Sequence, residues 1–371
     1  MKVDLLVIAG EHSGDNHAAL FVRQLKAKHP QLSIYAVGGP ALEEAGARLI
    51  FNILHLSVVG LVETLKHYGE FTRLMDYLVE WIRIYQPSIV CLVDFPGFNL
   101  RLAERLWKEK LSKKSGGSTC VCEYIAPQVW AWKENRKFKM ERFIDHLGVI
   151  FPFEKEYFSD TLLDVQFVGH PLLQQKNPFY YDENGPLLLL PGSRIEAVKR
   201  IFPLLVKAFE DLKSLHPELE AILPYPNQEI KAYLESTKLT KGISLYPLKR
   251  VNKGVRAAIM SSGTASLQVA LAGIPGVVTY KANPLTFFIG KHFVKIPYLS
   301  IANLLLKQTL YSECLQNLPH QASVITLHME VILSNQAESR KKFHEGAQQI
   351  VKLLTNHQMI TATNWLERYF D

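Results

Sequence analysis

Short apolar runs alternate along this chain with segments whose apolar positions recur every three to four residues. Val3–Ile8, Ile34–Val37, Ile89–Val93 and CVCEYI at 120–125 read as strands, the second closed by Gly38-Gly39-Pro40. Asn16–Lys28 reads as a helix, with Ala19, Leu20, Val22 and Leu25 as its apolar positions. Apolar strands separated by helices predict a parallel sheet covered on both faces. The polar, turn-rich NPFYYDENGP at 177–186 interrupts the pattern and is the expected linker. The alternation then restarts. Strands are predicted at 187–190, Leu219–Leu223, Ile243–Tyr246, Ala257–Met260 and GVVTY, and helices at Glu196–Leu215, Gln228–Leu234 and from SSGTAS to Ala272. From His344 to Phe370 the pattern is helical, with Ile350, Leu353 and Leu354 on one side.

Two successive doubly wound, Rossmann-like α/β domains follow, at residues 1–176 and 186–343, with a helical tail at 344–371 expected to pack back on the first. Ligands of such sheets sit at the carboxyl ends of the strands, so a central cleft faced by both domains is the expected site. One helical stretch is unusual. Residues 56–87 carry two apolar stripes: Leu61, Leu65, Tyr68, Met75 and Ile82, and then Phe71, Leu74, Leu78, Trp81 and Tyr85. A helix on a sheet needs one. The second is either buried between domains or exposed to lipid or a partner, and Phe71, Leu74 and Trp81 are the candidate membrane contacts.

Composition narrows the class. The 371 residues are 48% apolar and 21% charged, with a formal charge of +7. No apolar stretch approaches the roughly 18 residues of a membrane span, and the opening run is too short for a secretory signal, so a cytoplasmic protein is expected. The basic balance suits a solvated surface, an anionic membrane face, nucleic acid or phosphorylated substrates. No nucleic-acid-binding motif accompanies it, so no nucleic-acid partner is expected. The four cysteines have neither disulfide nor metal-ligand spacing, so no metal is expected.

Several strand ends carry candidate chemistry. AGEHSGD (9–15) leaves the first strand with Glu11 and Asp15 besides a glycine; Ser13 or Asp15 can cap the helix, which leaves Glu11 unexplained. VDFPGFN (93–99) puts Asp94 at a strand end beside Phe95 and Phe98, either as a partly dry base or as a helix cap. LPGSR (190–194) and SSGTAS (261–266) each lead from a strand into a helix N-terminus, a place for an anion, and Arg194 adds a two-pronged donor; simple capping by Ser193 is the other reading. Neither a P-loop nor a dinucleotide fingerprint is present. APQVWAWKENRKFKMER (126–142) combines Trp130 and Trp132 with five basic residues, Arg136 among them, that do not share one helix face.

Taken together, AGEHSGD, VGGP, LSVVGLVETL, VDFPGFN, APQVWAWKENR, FPFEKEYF, FVGHP, LLPGSR, SSGTASLQ and IANLL resemble, in order and spacing, the bacterial lipid-A-disaccharide synthases, from Ala9 to about Gln316. The resemblance implies a GT-B glycosyltransferase, without metal or cofactor, at the inner face of the inner membrane. Such an enzyme joins UDP-2,3-diacylglucosamine to 2,3-diacylglucosamine 1-phosphate, making a β-1,6 disaccharide and releasing UDP. It implies Asp94 as general base with Glu11 orienting the sugar or sharing that role, and an acceptor side built from Ser13, Asp15 and Arg136. Ser193, Arg194, Ser262, Gly263, Thr264, Ala265, Gln268 and Asn303 would hold the donor. Two positions depart from the family pattern: Gln268 replaces a common glutamate, and Ala302 a common proline. The alternatives are another UDP-sugar enzyme of the same fold, such as an epimerase, or a non-catalytic membrane-bound sugar-nucleotide binder.

Overall fold

The structure, a computed structural model, describes residues 2–54, 68–131, 133–281, 297–316, 320–355 and 359–370. The chain forms two compact units. One holds the residues up to Gln174 together with those from Leu354 onward, and the other holds Gln175–Leu353.

In the first unit, β1 (Leu5–Ala9), β2 (Ile34–Gly38), β3 (Arg48–Asn52), β4 (Ile89–Val93), β5 (Cys120–Tyr124), β6 (His146–Val149) and β7 (Asp164–Phe167) make one sheet in the order β3-β2-β1-β4-β5-β6-β7. Every pairing is parallel. Every residue of β1, β4 and β5 is buried, as expected of central strands covered on both faces. The order reverses between β1 and β4, and this is where an open α/β sheet leaves a crevice at its carboxyl edge.

The second unit contains β8 (Phe179–Tyr181), β9 (Leu187–Leu190), β10 (Ala221–Tyr225), β11 (Ile243–Pro247), β12 (Lys253–Val255), β13 (Ala257–Ser261), β14 (Gly276–Tyr280) and β15 (Ser312–Leu315). Six of them form a parallel sheet, β11-β10-β9-β13-β14-β15, whose order reverses between β9 and β13. The expected linker is not simply a linker: Phe179–Tyr181 pairs with Lys253–Val255 in a separate two-stranded sheet, and the Phe179 side chain is buried.

The tail divides differently from expectation. Helix Gln336–Leu354 runs across position 344, and the change of unit comes at Leu354. Leu353 is exposed, whereas Ile350 and Leu354 are buried. The last helix, Ala362–Glu367, lies on the first unit. Trp365 is fully buried there against Gly148, and Lys28 donates to Asn364 at 2.8 Å and pairs with Glu367 at 3.2 Å.

Helix Tyr68–Tyr85 corrects the membrane expectation. Leu74, Leu78 and Trp81 are buried with Met75, Val79 and Ile82 in one wide apolar face. The face is wide because the helix has neighbours beneath and beside it. Trp81 meets Tyr35 of β2, with ring centroids 5.4 Å apart, while half-buried Phe71 packs on Phe95 and Phe98 at the start of helix Pro96–Lys108. Arg83, on the same helix, pairs with Glu80 and Glu109. Residues 56–67, including Leu61, Leu65 and Lys66, lie outside the described residues.

Candidate active site

The two loops flanking the first reversal are AGEHSGD, after β1, and VDFPGFN, after β4. They are packed on each other. A Cβ on Gly10 would lie 2.1 Å from the Phe95 ring, so only glycine lets that ring reach the β1 backbone. Helix His12–Lys28 starts four residues before the expected point. Glu11 occupies its cap position in extended conformation, without a side-chain capping bond. Ser13 therefore lies inside the first turn, and its hydroxyl donates to Asp94 Oδ2 at 3.3 Å. Asp94 has left-handed backbone (φ 40°), uncommon for a non-glycine residue and typical of constrained functional positions. Phe95, not Asp94, caps helix Pro96–Lys108. Ser13 and Asp94 are thus brought together, with Glu11 two residues from Ser13.

Asp15 is committed elsewhere. Its carboxylate accepts backbone N–H bonds from Gly39 (2.8 Å), Ala41 (3.0 Å) and Leu42 (3.3 Å), and the residue is buried. It ties the β1 helix to the turn after β2. The VGGP glycines make room for this: a Cβ on Gly39 would stand 2.6 Å from Asp15 Oδ2. Asp15 thus acts as a structural tie between the AGEHSGD and VGGP loops.

Two further carboxyls lie within electrostatic reach of Asp94. Glu123, on β5, is fully buried, and burial pushes its pKa up to about 8, assisted by the charge of Asp94 and opposed by Arg136. Glu154 accepts from Trp130 Nε1 (3.1 Å) and from the N–H groups of Ile150 (3.1 Å) and Phe151 (2.9 Å), and burial pushes its pKa to about 7. Trp130 is core, locked by that bond. Trp132 lies outside the described residues. Arg136 opens helix Arg136–Phe143 and is half-buried. His17 and His170 are also buried, with ring centroids 6.5 Å apart, and burial lowers their pKa values to about 4 and about 3, so both are neutral. Sequence reading missed Glu123, Glu154 and both histidines, since each occupies an ordinary strand, turn or helix position whose burial only the fold reveals.

In the second unit the expected anion loops flank the reversal between β9 and β13. Gly192, at φ 122°, turns the chain after β9 into helix Ile195–Leu215. Arg194, not Ser193, is the cap residue, and both are exposed. A Cβ on Gly192 would be 3.4 Å from Ser261 Oγ, so this loop lies beside the end of β13. There Gly263 caps helix Thr264–Leu271. Thr264 is exposed, Ala265 and Gln268 are half-buried, and the Gln268 carbonyl accepts from Asn177 Nδ2 at 2.7 Å. Ser262 donates to the Leu299 carbonyl at 2.6 Å.

Asn303 is not open to a ligand. Fully buried, it donates to Tyr311 O (2.8 Å) and Glu313 Oε1 (2.9 Å), and accepts from the N–H groups of Leu310 and Tyr311, both at 2.9 Å. These four bonds fill its capacity. Glu313 also accepts from Leu299 N (3.0 Å) and Ser300 N (2.9 Å). The loop before Ala302, which stands where the family commonly has proline, is held by this carboxylate, a residue with no signal in the sequence. Asn303 thus supports the loop that meets Ser262. Among the described residues, no cluster of histidine, cysteine or acidic side chains could hold a metal ion, and no helix is long and apolar enough to cross a membrane.

Solved structures share the fold. MurG of Acinetobacter baumannii superposes with a TM-score of 0.52 at 14% identity, covering 100% of this chain and 99% of that one. A putative UDP-N-acetylglucosamine 2-epimerase of Listeria monocytogenes gives 0.61 at 12% identity, with 95% of each covered. At such identities only the fold is shared. Sequence relatives go further. The lipid-A-disaccharide synthase of Trichlorobacter lovleyi is 34% identical over 84% of this chain and 83% of its own length, and that of Nitrosococcus oceani is 32% identical over 94% of both. The profile of the Lipid-A-disaccharide synthetase family matches residues 5–367. The chain belongs to that family.

Proposed function

We propose that this glycosyltransferase of lipid A biosynthesis moves the sugar of UDP-2,3-diacylglucosamine onto the 6-hydroxyl of 2,3-diacylglucosamine 1-phosphate. The O6–C1 bond forms as the bond from C1 to the diphosphate breaks. The hydroxyl proton passes to Asp94, and the electron pair leaves with UDP. Attack from the face opposite the diphosphate inverts the anomeric centre in one displacement, giving the β-1,6 linkage. Ser13 holds Asp94, Glu11 orients the acceptor sugar, and Arg136 supplies the cation for its phosphate. Negative charge growing on UDP is met by the helix N-termini after β9 and β13 and by the Arg194 guanidinium, with Ser193, Thr264, Ala265 and Gln268 around the nucleotide. Asn303 and Ser262 contribute through the loop they hold. Both substrates carry acyl chains, so the enzyme works as a peripheral protein on an anionic membrane face.

The observation that carries this reading is the Ser13–Asp94 contact at the reversal of the first sheet, where such folds bind ligands. Asp94→Asn preserves size and removes basicity. Its kcat should fall at least a hundredfold with UDP affinity unchanged. Parent-like turnover would remove Asp94 from the chemistry.

A further inference from the structure

The sheet carries an acid that the proposed chemistry does not use. Glu123 pairs across β4 with Leu92 and across β6 with Leu147, both fully buried. It is itself fully buried, and neither carboxyl oxygen has a hydrogen-bond partner among the described residues. Leucine would fill such a place without cost, whereas an unpartnered buried carboxylate is so costly that the group stays protonated. Just past the end of the neighbouring strand β4 stands Asp94, whose N–H donates to Tyr124 O at 3.3 Å, one residue beyond Glu123.

We propose that Glu123 is a positioning residue for the acceptor site: as a neutral acid it leaves the negative charge of this sheet edge on Asp94 and the charge of Arg136 for the acceptor's phosphate. This rests on the reading of Asp94 and Arg136 given above. Among the described residues, the charged groups acting on Glu123 are Asp94, just past the end of β4, and Arg136 at the start of helix Arg136–Phe143; the Glu123 charge in turn helps to push up the buried thiol of Cys91 on β4. Helix Pro96–Lys108 presents the neutral, buried Asn99 on its inner face. When Glu123 loses its proton, a second anion appears beside Asp94 and competes with the phosphate for Arg136. Weakened binding of the anionic acceptor is the consequence, with the chemical step and the donor unaffected.

The test is the KM of each substrate from pH 6 to 9.5, for the parent and for Glu123→Gln, which is permanently neutral and nearly isosteric. In the parent, acceptor KM should rise about tenfold across a midpoint near pH 8 while donor KM stays level. In Glu123→Gln the rise should vanish, with kcat at pH 7 within about threefold of the parent. Glu123→Leu also removes the titrating group and serves if the glutamine variant does not fold. The same alkaline rise in either variant overturns the proposal, as does a uniform loss of kcat with an unchanged profile. A second arm does not depend on Asp94 being the base. In protein carrying 13C-carboxyl glutamate, the signal missing from Glu123→Gln should titrate at lower pH in Asp94→Asn than in the parent. An unmoved midpoint rejects the coupling even if Asp94 proves to be the base.

Discussion

Replacing Asp15 by asparagine separates a structural carboxylate from a substrate ligand. In the folded chain the two oxygens of Asp15 take three backbone N–H groups, at 2.8, 3.0 and 3.3 Å. Hydrogen bonds to a charged acceptor are worth about 1.5–3 kcal/mol each, and a buried donor left unpaired costs about 1–3 kcal/mol. Asparagine keeps one oxygen as acceptor but turns an NH2 toward a backbone N–H, so about half the network is lost. The long third bond contributes least. The expected loss is about 3 kcal/mol, which in a unit of 150–250 residues lowers Tm by roughly 6–12 °C. Calorimetry reads this directly, because the first unit should melt earlier while the second keeps its transition. Acceptor KM, measured well below the new Tm, should stay within about threefold of the parent. A parent-like Tm combined with a tenfold rise in acceptor KM would refute the reasoning and return Asp15 to the substrate.

Leu78→Ala, at a fully buried site on helix Tyr68–Tyr85, should cost about 2–5 kcal/mol without weakening vesicle binding at a temperature where the variant is folded; lost vesicle binding with unchanged stability would restore the lipid-facing stripe. Arg194→Ala should lower kcat/KM by about a hundredfold or more with the fold intact, checked by steady-state kinetics and circular dichroism. Activity should survive EDTA if, as proposed, helix N-termini and Arg194 do a cation's work; a loss restored by Mg²⁺ contradicts that proposal. The raised Glu123 pKa favours the folded state at low pH. Its contribution is present below the ordinary carboxyl value of 4.5 and is lost up to about pH 8, at about 1.4 kcal/mol per pH unit. Glu123→Gln should therefore gain Tm over the parent at pH 9 relative to pH 5, and an equal difference at both pH values rejects the assignment.

Alternation of apolar runs was enough to place the central strands β1, β2, β4 and β5 and the restart at β9, because strands buried on both faces must be apolar throughout. The edge strand β3, Arg48–Asn52, has no such run: its residues are exposed or half-buried, and its pairing with β2 slips at Ala36/Val37. The loops after β1, β4, β9 and β13 were legible as motifs, and the sheet orders explain why those four matter, since they flank the two reversals. Burial and saturation were not legible. The family resemblance implies ligand roles for Asn303 and Asp15, and only the fold shows the hydrogen bonds that each makes within the protein. Trp81 and Leu74 look surplus to one helical face until Tyr35 and helix Pro96–Lys108 close around them. Glu123 looks like one polar residue in a strand, and only its pairing with Leu92 and Leu147 shows that it is dry.

The most direct measurement is product analysis. Purified protein is mixed with UDP-2,3-diacylglucosamine and 2,3-diacylglucosamine 1-phosphate in anionic vesicles. UDP is quantified, and the lipid product is examined by mass spectrometry and by NMR of its anomeric proton. The account predicts one UDP per disaccharide, a β-1,6 linkage, and loss of both products in Asp94→Asn. UDP without disaccharide, an epimerised UDP-sugar or an α linkage would contradict it.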